Sequence, residues 1–353
     1  MIRVLVVDDS AVVRKVLTEE LSKYEGIEVV GSAIDPYIAR EKIISLRPDV
    51  ITLDLEMPRM DGLSFLSKLM KFYPLPVIVV SSLTPENSAT AIKALELGAI
   101  DVICKPGSAY SIPNVSHRLV TAIRAAATAK VVKMQDVSES QSSVASISGF
   151  QLQTTHRIIA IGASTGGTKA IEAVLTKLPP TTPGIVIVQH MPEYFTAGFA
   201  ERLNQICRME VREAKNNDPV VPGVALIAPG NYHMVLEKSG ARYFVKIKDG
   251  PYVHYQRPSV DVLFHSVAAN AGRNAVGAIL TGMGADGAQG LLKMRENGAH
   301  TIAQDEQSCV VFGMPKEAIN LGAADEIVPL QDVAQALLNA LVDNDNIRQV
   351  KTA

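Results

Sequence analysis

The stretch Ile158–Gly167, which reads Ile-Ile-Ala-Ile-Gly-Ala-Ser-Thr-Gly-Gly, decides how the second half of the chain folds. An apolar run typical of a buried strand meets a tight Gly/Ser turn, and an amphipathic helical pattern continues to Leu178. Together these features predict a strand-to-helix corner of an α/β sheet. Such a corner exposes a side chain at the carboxyl edge of the sheet, beside the backbone N–H groups that begin the helix.

Ser164, at this corner, has two interpretations. Its hydroxyl can be a nucleophile, because the N–H groups of a helix start can stabilise a developing oxyanion. Alternatively, the glycines form a phosphate or dinucleotide loop, which is the commoner use of a Gly-rich corner. The stretch 162–167 matches neither G-x-G-x-x-G nor a P-loop with its lysine, which weighs against the second interpretation.

Length and composition limit the class of protein. The 353 residues are enough for two domains, and 47% of them are hydrophobic, so packed cores are expected. The formal net charge of -2 gives no electrostatic reason to expect binding to nucleic acid or to an anionic membrane. No apolar run approaches the length of a membrane span, so no membrane insertion is expected.

The cysteines and the N-terminus predict the compartment. Cys104, Cys207 and Cys309 lie far apart and form no C-x-x-C pair, which argues against a disulfide scaffold and against a zinc site. The sequence begins directly with a strand pattern and shows no signal-peptide pattern. We therefore expect a cytoplasmic protein.

Strands and helices alternate strictly over residues 1–128. The strand segments are short and almost continuously apolar, which is typical of parallel strands buried on both faces. The pattern predicts five βα units and a doubly wound, flavodoxin-like α/β sheet. The predicted strands are Ile2–Val7, Glu28–Ser32, Val50–Leu53, Val77–Val80 and Asp101–Cys104, with helices near 11–24, 36–46, 62–72, 86–97 and 113–128.

Acidic side chains follow the strands of this first sheet. Asp8 and Asp9 come after the first strand, and Asp54 ends the third. Three carboxylates at one edge repel one another unless they share a cation, and hard oxygen ligands suit Mg²⁺. With Lys105 nearby, one carboxylate can act as a nucleophile toward a phosphoryl donor. The alternative, that each aspartate is a helix N-cap or a solvated loop charge, is disfavoured by their joint placement.

These residues resemble the receiver domain of response regulators over all of 1–128. The resemblance implies that Asp54 accepts phosphate from a histidine kinase of the CheA type and that Asp8, Asp9 and Asp54 bind Mg²⁺. It further implies that Ser81 and Lys105 contact the phosphoryl group. One position departs from the family, because Val102 stands where receivers commonly have an aromatic switch residue. The matching segments are Val-Val-Asp-Asp-Ser (6–10), Asp-Leu-Glu-Met-Pro (54–58), Asp61-Gly62, Ser81 and Lys105-Pro106.

The periodicity stops over residues 129–155, where serine-rich sequence predicts a flexible linker. Alternation returns over 156–345 and predicts a second, Rossmann-like and mostly parallel sheet. Residues 232–247 add an antiparallel hairpin around Ser239-Gly240. Strands are predicted at 157–161, 184–189, 224–228, 276–280, 299–303 and 325–328, and helices at 167–178, 196–206, 260–271, 287–296, 315–321 and 331–342.

A base and an acid for Ser164 can be sought at the same sheet edge. His190 ends the apolar strand that follows Ser164 in sequence, and sequential strands are usually neighbours. His233 and His254 are loop candidates of lower rank. Asp286 lies between glycines at another strand-to-helix corner, where it is either a helix N-cap or the acid that orients His190.

The second segment resembles the CheB family of chemotaxis protein-glutamate methylesterases over about residues 156–345. The resemblance implies hydrolysis of glutamate methyl esters on the cytoplasmic domains of chemoreceptors, and in many members deamidation of receptor glutamines. The matching segments are Ile-Gly-Ala-Ser-Thr-Gly-Gly (161–167), Gln-His-Met-Pro (189–192), Ala-Pro-Gly with His233 (228–233), Arg-Pro-Ser-Val-Asp (257–261), Leu-Thr-Gly-Met-Gly-Ala-Asp-Gly (280–287) and Val-Phe-Gly-Met-Pro (311–315).

Family likeness also implies the roles of individual residues. Ser164, His190 and Asp286 would form a catalytic triad, Thr165 would support His190, and the backbone N–H of Met283 would contribute to the oxyanion hole. The esterase would need no cofactor. Three other functions stay open: a DNA-binding response regulator, a nucleotide-dependent dehydrogenase, and a hydrolase of the same family with a target outside chemotaxis. The sequence lacks the basic stripe that DNA binding would need, and it lacks the ribose-binding fingerprint of a dehydrogenase.

Overall fold

A computed structural model describes residues 1–82, 84–105, 112–129 and 156–351. The chain divides into two compact units, with the boundary between Ser143 and Val144. Most of the expected linker, residues 130–155, lies outside the described residues. The elements of the first unit are β1 (Ile2–Val7), α1 (Ala11–Leu21), β2 (Ile27–Ala33), α2 (Pro36–Leu46), β3 (Val50–Leu53), α3 (Gly62–Phe72), β4 (Val77–Ser81), α4 (Pro85–Glu96), β5 (Asp101–Cys104) and α5 (Ile112–Thr128).

The first unit is built on a five-stranded parallel sheet in the order β2-β1-β3-β4-β5. This order confirms the predicted doubly wound, flavodoxin-like sheet. The central strands β3 and β4 are buried along their whole length, as expected for strands with helices on both faces. The carboxyl ends of β1, β3, β4 and β5 therefore meet at one edge.

The second unit repeats the α/β alternation with more strands. Its helices begin and end within a few residues of the predicted positions, except that the last helix runs to Lys351. The elements are β6 (Ile158–Ala163), α6 (Gly167–Leu175), β7 (Gly184–Gln189), α7 (Phe195–Ile206), β8 (Glu210–Glu213), β9 (Val224–Ile227), β10 (His233–Ser239), β11 (Arg242–Lys248), α8 (Val260–Asn270), β12 (Ala275–Ile279), α9 (Ala288–Glu296), β13 (His300–Gln304), α10 (Met314–Asn320), β14 (Glu326–Val328) and α11 (Leu330–Lys351).

Seven parallel strands form the main sheet of this unit, in the order β14-β13-β12-β6-β7-β9-β8. Strand β6 lies between β7 and β12, so its carboxyl end is flanked by theirs. The hairpin β10-β11 forms a separate antiparallel sheet, as predicted. Strand β8 was not predicted, because three of its four residues are charged and only Val211 is buried on this edge strand.

Close packing explains the glycine in the middle of the 158–167 stretch. Strand β6 is buried at all six positions, and a Cβ at Gly162 would come within 2.2 Å of the Val260 side chain. The absence of a side chain therefore allows the start of α8 to pack directly against β6. This contact brings the N-terminus of α8 to the edge where β6 ends.

Two features of the described residues concern the cysteines and the helices. Cys104, Cys207 and Cys309 are free cysteines, of which Cys104 and Cys309 are buried. Among the described residues, no helix combines the length and the apolar character that crossing a membrane requires.

Candidate active site

Ser164 follows β6 directly and lies at the carboxyl edge of the seven-stranded sheet. Its backbone N–H donates to Thr281 O at 3.0 Å, and its carbonyl accepts from Gly167 N–H at 2.7 Å. Only 8% of the residue is exposed. The local backbone thus fixes Ser164 between the end of β6 and the segment that follows β12.

The turn after Ser164 depends on glycine. Gly166 adopts a φ of 77° as the N-cap of α6, and a Cβ there would lie 2.6 Å from Val310. The Gln189 side-chain amide donates to the carbonyl oxygens of Ser164 and His190, at 2.9 and 3.2 Å. One buried amide therefore bonds to both residues of the predicted nucleophile–base pair.

His190 lies at the end of β7, next to the serine corner. Its backbone N–H donates to Ala163 O at 3.1 Å, and its ring Nε2 is 2.7 Å from Asp286 Oδ2. Its Nδ1 is buried and has no hydrogen-bond partner among the described residues. Within residues 156–351, no hydrogen bond joins Ser164 Oγ to this ring. The structure therefore brings His190 and Asp286 together, and leaves one ring nitrogen available at the edge that Ser164 occupies.

The Asp286 carboxylate accepts four hydrogen bonds. Besides His190, its donors are Ser259 Oγ at 2.8 Å, Val260 N–H at 2.8 Å and Asp261 N–H at 3.0 Å, all at the N-terminus of α8. Positive partial charge at a helix N-terminus adds to their effect. The alternative that Asp286 is an ordinary N-cap is wrong, because the N-cap of α9 is Gly287 with a φ of 94°.

Burial and hydrogen bonding act in opposite directions on the charge of Asp286. Burial raises the pKa of the Asp286 carboxyl, whereas the hydrogen bonds from His190, Asp261 and Ser259 lower it, and the result is a pKa below the ordinary carboxyl value. Asp286 therefore stays ionised at neutral pH. Because an ionised carboxylate only accepts hydrogen bonds, the His190 Nε2 must carry the proton, and Nδ1 is the acceptor.

Thr165 and Met283, whose roles came from family resemblance, lie on the two segments that meet at Ser164. Thr165 is 3% exposed, and its carbonyl accepts from Thr281 Oγ1 at 3.0 Å. Met283 is partly exposed and precedes Gly284, whose φ of 92° turns the backbone. The N–H of Met314 donates to Gly282 O at 2.8 Å, which holds this turn against the start of α10.

The other two histidine candidates, His233 and His254, bond to residues at the start of α8. His233 is buried and bonds to backbone groups only, as described below. His254 is exposed, and its Nε2 is 3.1 Å from Asp261 Oδ2. Ligand atoms of His254, Asp261 and Asp286 lie close enough together for one metal ion, but the Asp286 oxygens already accept four hydrogen bonds. This cluster is therefore poorly suited to bind a cation.

The acidic edge of the first unit forms a second site. Lys105 Nζ lies 2.7 Å from Asp54 Oδ2 and 3.0 Å from Asp8 Oδ2, and both carboxylates are 1% exposed. Burial raises the pKa of Asp54, and the neighbouring charge of Asp8 adds to this effect. Lys105 acts against both without cancelling them. The N-cap alternative is wrong for Asp8 and Asp54, because Ser10 is the N-cap of α1 and Asp61 is the N-cap of α3.

Asp9 and Ser81 complete the acidic edge. Oxygen atoms of Asp8, Asp9 and Asp54 lie within 4.8 Å of one another, which suits one hard divalent cation such as Mg²⁺. Ser81 ends β4, and its buried hydroxyl has no hydrogen-bond partner among the described residues. A buried hydroxyl without a partner is costly, and a bound anionic oxygen would satisfy it. The residues at this edge thus fit both groups that the receiver resemblance implies.

Sequence reasoning did not identify the residues that hold Asp286. Ser259 lies in the Arg-Pro-Ser-Val-Asp segment, but its role depends on the start of α8 packing against β6. The other two donors at α8 are backbone N–H groups, which leave no side-chain signature. A serine N-cap before an apolar helix was the only available indication of a helix start at this position.

With both sites described, the chain can be compared with known proteins. Residues 159–337 match the CheB methylesterase family, and residues 4–115 match the response regulator receiver domain. The chain belongs to the CheB methylesterase family. It is 60% identical to a protein-glutamate methylesterase/protein-glutamine glutaminase of Syntrophus aciditrophicus, over 96% of this chain and 98% of the relative.

Other relatives agree with this placement. A protein of the same name from Salmonella choleraesuis is 52% identical, over 98% of this chain and 99% of the relative. The crystal structure of the CheB methylesterase catalytic domain of Thermotoga maritima matches with a TM-score of 0.51 and 36% identity. That match covers 53% of this chain and 99% of the solved chain. The family relationship therefore extends over both units.

Proposed function

We propose that this protein is a phosphorylation-regulated protein-glutamate methylesterase that also deamidates protein glutamines. The names of its full-length relatives imply that the substrates are methyl esters of protein glutamates, and we assign these esters to the cytoplasmic domains of chemoreceptors. The observation that best supports the chemistry is the 2.7 Å contact between the His190 ring and a buried, ionised Asp286. This contact leaves His190 Nδ1 as a base beside the end of β6, where Ser164 lies.

The residues have definite roles in the proposed reaction. His190 Nδ1 takes the proton of the Ser164 hydroxyl as Ser164 Oγ attacks the ester carbonyl. Asp286 stabilises the imidazolium that forms and keeps the ring in the required orientation. The proton then passes from His190 to the leaving methoxide oxygen, so methanol departs and the substrate glutamyl group remains on Ser164.

Two further steps complete the cycle. Water gives a proton to His190 and attacks the acyl-serine carbonyl. His190 then returns that proton to Ser164 Oγ as the acyl–oxygen bond breaks, which releases the glutamate carboxylate and restores Ser164. With glutamine as substrate the same steps release ammonia in place of methanol. We assign the Met283 backbone N–H to the oxyanion, since it lies in the turn beside Ser164, and Thr165 to the support of His190. The esterase uses no cofactor.

The first unit is proposed to be the regulatory receiver. Asp54 accepts phosphate from a histidine kinase of the CheA type, and Asp8, Asp9 and Asp54 would hold the Mg²⁺ ion. Bound Mg²⁺ would neutralise negative charge on the phosphoryl oxygens. Lys105 contacts the same oxygens, and Ser81 donates to them its hydroxyl, which has no partner among the described residues. We infer that unphosphorylated residues 1–128 restrain the esterase until Asp54 is modified.

The domain limits and the compartment are also proposals. We assign residues 1–128 to the receiver, 129–155 to the linker and 156–345 to the catalytic domain. A cytoplasmic location agrees with three free cysteines, because disulfides are rare in that compartment. It also suits a protein that receives phosphate from a kinase.

The proposed function is tested by release of methanol from membranes that contain methylated chemoreceptors. We expect release from the full chain, and faster release when a small phosphodonor is added. The Asp54→Asn variant should keep the basal rate and lose the stimulation. No release from methylated receptors, together with normal phosphorylation of Asp54, would contradict the proposed substrate and would favour a target outside chemotaxis. A second test removes residues 1–150. A basal rate no higher than that of the full chain would contradict restraint by the receiver.

A further inference from the structure

His233 begins β10 and makes two hydrogen bonds, both to backbone groups. Its Nδ1 is 3.2 Å from the N–H of Ser259, and its Nε2 is 2.8 Å from the carbonyl oxygen of Pro251. An N–H can only donate and a carbonyl can only accept. The ring is therefore neutral, with the proton on Nε2 and a lone pair on Nδ1. It is 5% exposed, so solvent offers little replacement for either contact.

The residue that His233 holds is itself bonded to Asp286. Ser259 is the N-cap of α8, and its hydroxyl donates to Asp286 Oδ1 at 2.8 Å. The next two residues of α8 donate their backbone N–H groups to the same carboxylate. A chain of hydrogen bonds thus runs from His233 through Ser259 and Asp286 to His190.

We propose that His233 is a positioning residue for the esterase reaction, acting through the N-terminus of α8. This inference rests on the proposed function, but its structural part does not. By accepting the Ser259 N–H, His233 fixes where α8 begins, and therefore where three of the four Asp286 donors lie. The orientation of the His190 ring follows from the position of the carboxylate.

The two nitrogen atoms of His233 have different importance in this account. The Nδ1 contact satisfies a buried N–H next to the Asp286 donors, and its loss leaves that N–H without a partner. The Nε2 contact holds Pro251, which belongs to the loop after β11 and has no bond to Asp286. The acceptor at Nδ1 is therefore required for catalysis, and the donor at Nε2 is not.

Two variants separate these contacts. In His233→Asn, the amide oxygen can occupy the position of Nδ1 and accept the Ser259 N–H. In His233→Gln, the amide nitrogen can reach the position of Nε2 and donate to Pro251 O, but the acceptor is lost. Both variants remove the ring, so each is a packing control for the other.

The expected kinetic result is a loss of kcat in one variant only. His233→Gln should lower kcat for methanol release by about 10- to 100-fold, the size of effect that follows from a small displacement of catalytic groups. His233→Asn should retain most of the wild-type kcat, and KM should be unchanged in both variants. The proposal would be overturned if both variants lost kcat equally or if both retained it. It would also be overturned if His233→Asn lost more kcat than His233→Gln.

A spectroscopic measurement tests the positioning without any turnover. In the full chain with ¹⁵N-labelled histidine, the ring proton shared by His190 and Asp286 should give a downfield proton resonance. His233→Gln should shift or abolish it, and His233→Asn should preserve it. An unchanged resonance in His233→Gln contradicts the proposal even if the enzyme proves to have a different substrate.

The wild-type spectrum gives a further check that needs no variant. The ¹⁵N shifts of the His233 ring should identify the Nε2–H tautomer with an unprotonated, hydrogen-bonded Nδ1. A proton on Nδ1 would show that His233 cannot accept the Ser259 N–H, and the proposal would then be wrong. This measurement remains decisive if neither variant folds.

Discussion

Asp54 and Asp286 lie at the carboxyl edges of two separate parallel sheets, and they are 1% and 2% exposed. Burial raises the pKa of both carboxyls. At Asp54 burial and the nearby Asp8 prevail over Lys105, so the pKa lies above the ordinary value. At Asp286 the donors, chiefly His190 and the start of α8, prevail over burial, so the pKa lies below it.

The comparison shows that burial alone does not decide the charge of a carboxyl group at such an edge. The charge of the carboxyl group depends on how many hydrogen-bond donors are held in place around each of its oxygens. An acid that must stabilise an imidazolium benefits from four donors, because it must stay ionised throughout the reaction. A carboxylate that must attack a phosphoryl group benefits from fewer fixed donors, because its oxygens must be free to form a new bond.

The largest effect is expected for Asp286→Asn. The amide cannot accept every bond that the carboxylate accepts, and it can offer a proton to His190, which selects the wrong ring tautomer. We expect kcat for methanol release to fall about 10⁴-fold, as for an equivalent change in other triads. The matched control is Asp261→Asn, since Asp261 lies beside Asp286 and does not bond to His190. Loss of the same size in both variants would contradict the assignment of Asp286.

A smaller effect is expected for Ser259→Ala, which removes one donor from Asp286 and keeps the two backbone donors. The unfolding free energy of the second unit should fall by about 1 to 3 kcal/mol, because a buried carboxylate loses one of its donors. We expect kcat to fall by roughly 10-fold, since a small displacement of the acid is costly. Urea denaturation and methanol release measure the two effects. Ser266→Ala is the control, because it removes a hydroxyl of the same helix that bonds to Leu236 and Leu263 and not to Asp286. It should lower stability and leave kcat unaltered.

The smallest effect concerns stability of the first unit. A raised pKa at Asp54 means that its contribution to stability is lost as the pH rises through the folded-state pKa. Asp54→Asn should therefore be the more stable protein at neutral pH, by about 1.4 kcal/mol for each unit by which the folded-state pKa is raised. Hydrogen exchange of the β1 and β3 amides in the full chain measures the difference in stability between the two proteins. Lys105→Met should change stability in the opposite direction, because it leaves Asp8 and Asp54 without their shared cation.

At Asp286 the pH dependence of stability has the opposite direction to that at Asp54. Its pKa is lowered in the folded state, so its contribution to stability is present above the ordinary carboxyl pKa and is lost as the pH falls through the folded value. We expect protection of the β6 and β12 amides to decrease only below about pH 4. In Asp286→Asn this acid-dependent loss should be smaller. Equal acid dependence in the two proteins would contradict the lowered pKa.

Much of the architecture was predictable, because buried parallel strands have a continuous apolar pattern. The strand-end positions of Ser164 and His190 followed from that pattern, and the adjacency of β6 and β7 confirmed the neighbour rule. Strand β8 was missed because an edge strand does not need an apolar sequence. The pairing of β6 with β12 joins segments more than a hundred residues apart and has no local signature.

The surroundings of Asp286 could not be predicted for a different reason. Two of its donors are backbone N–H groups of α8, and any residue type supplies those. Their position depends on Gly162, which allows Val260 to approach β6. Sequence patterns predict an acid at residue 286, but only the packing of α8 explains why the pKa of this carboxyl is lowered.

The central claim is that Ser164 is the nucleophile at an edge prepared by His190 and Asp286. The most direct test is methanol release from methylated receptor membranes by Ser164→Ala, measured together with phosphorylation of Asp54. The account predicts that methanol release disappears while phosphorylation and folding stay at wild-type levels. Substantial methanol release by the folded variant would contradict it.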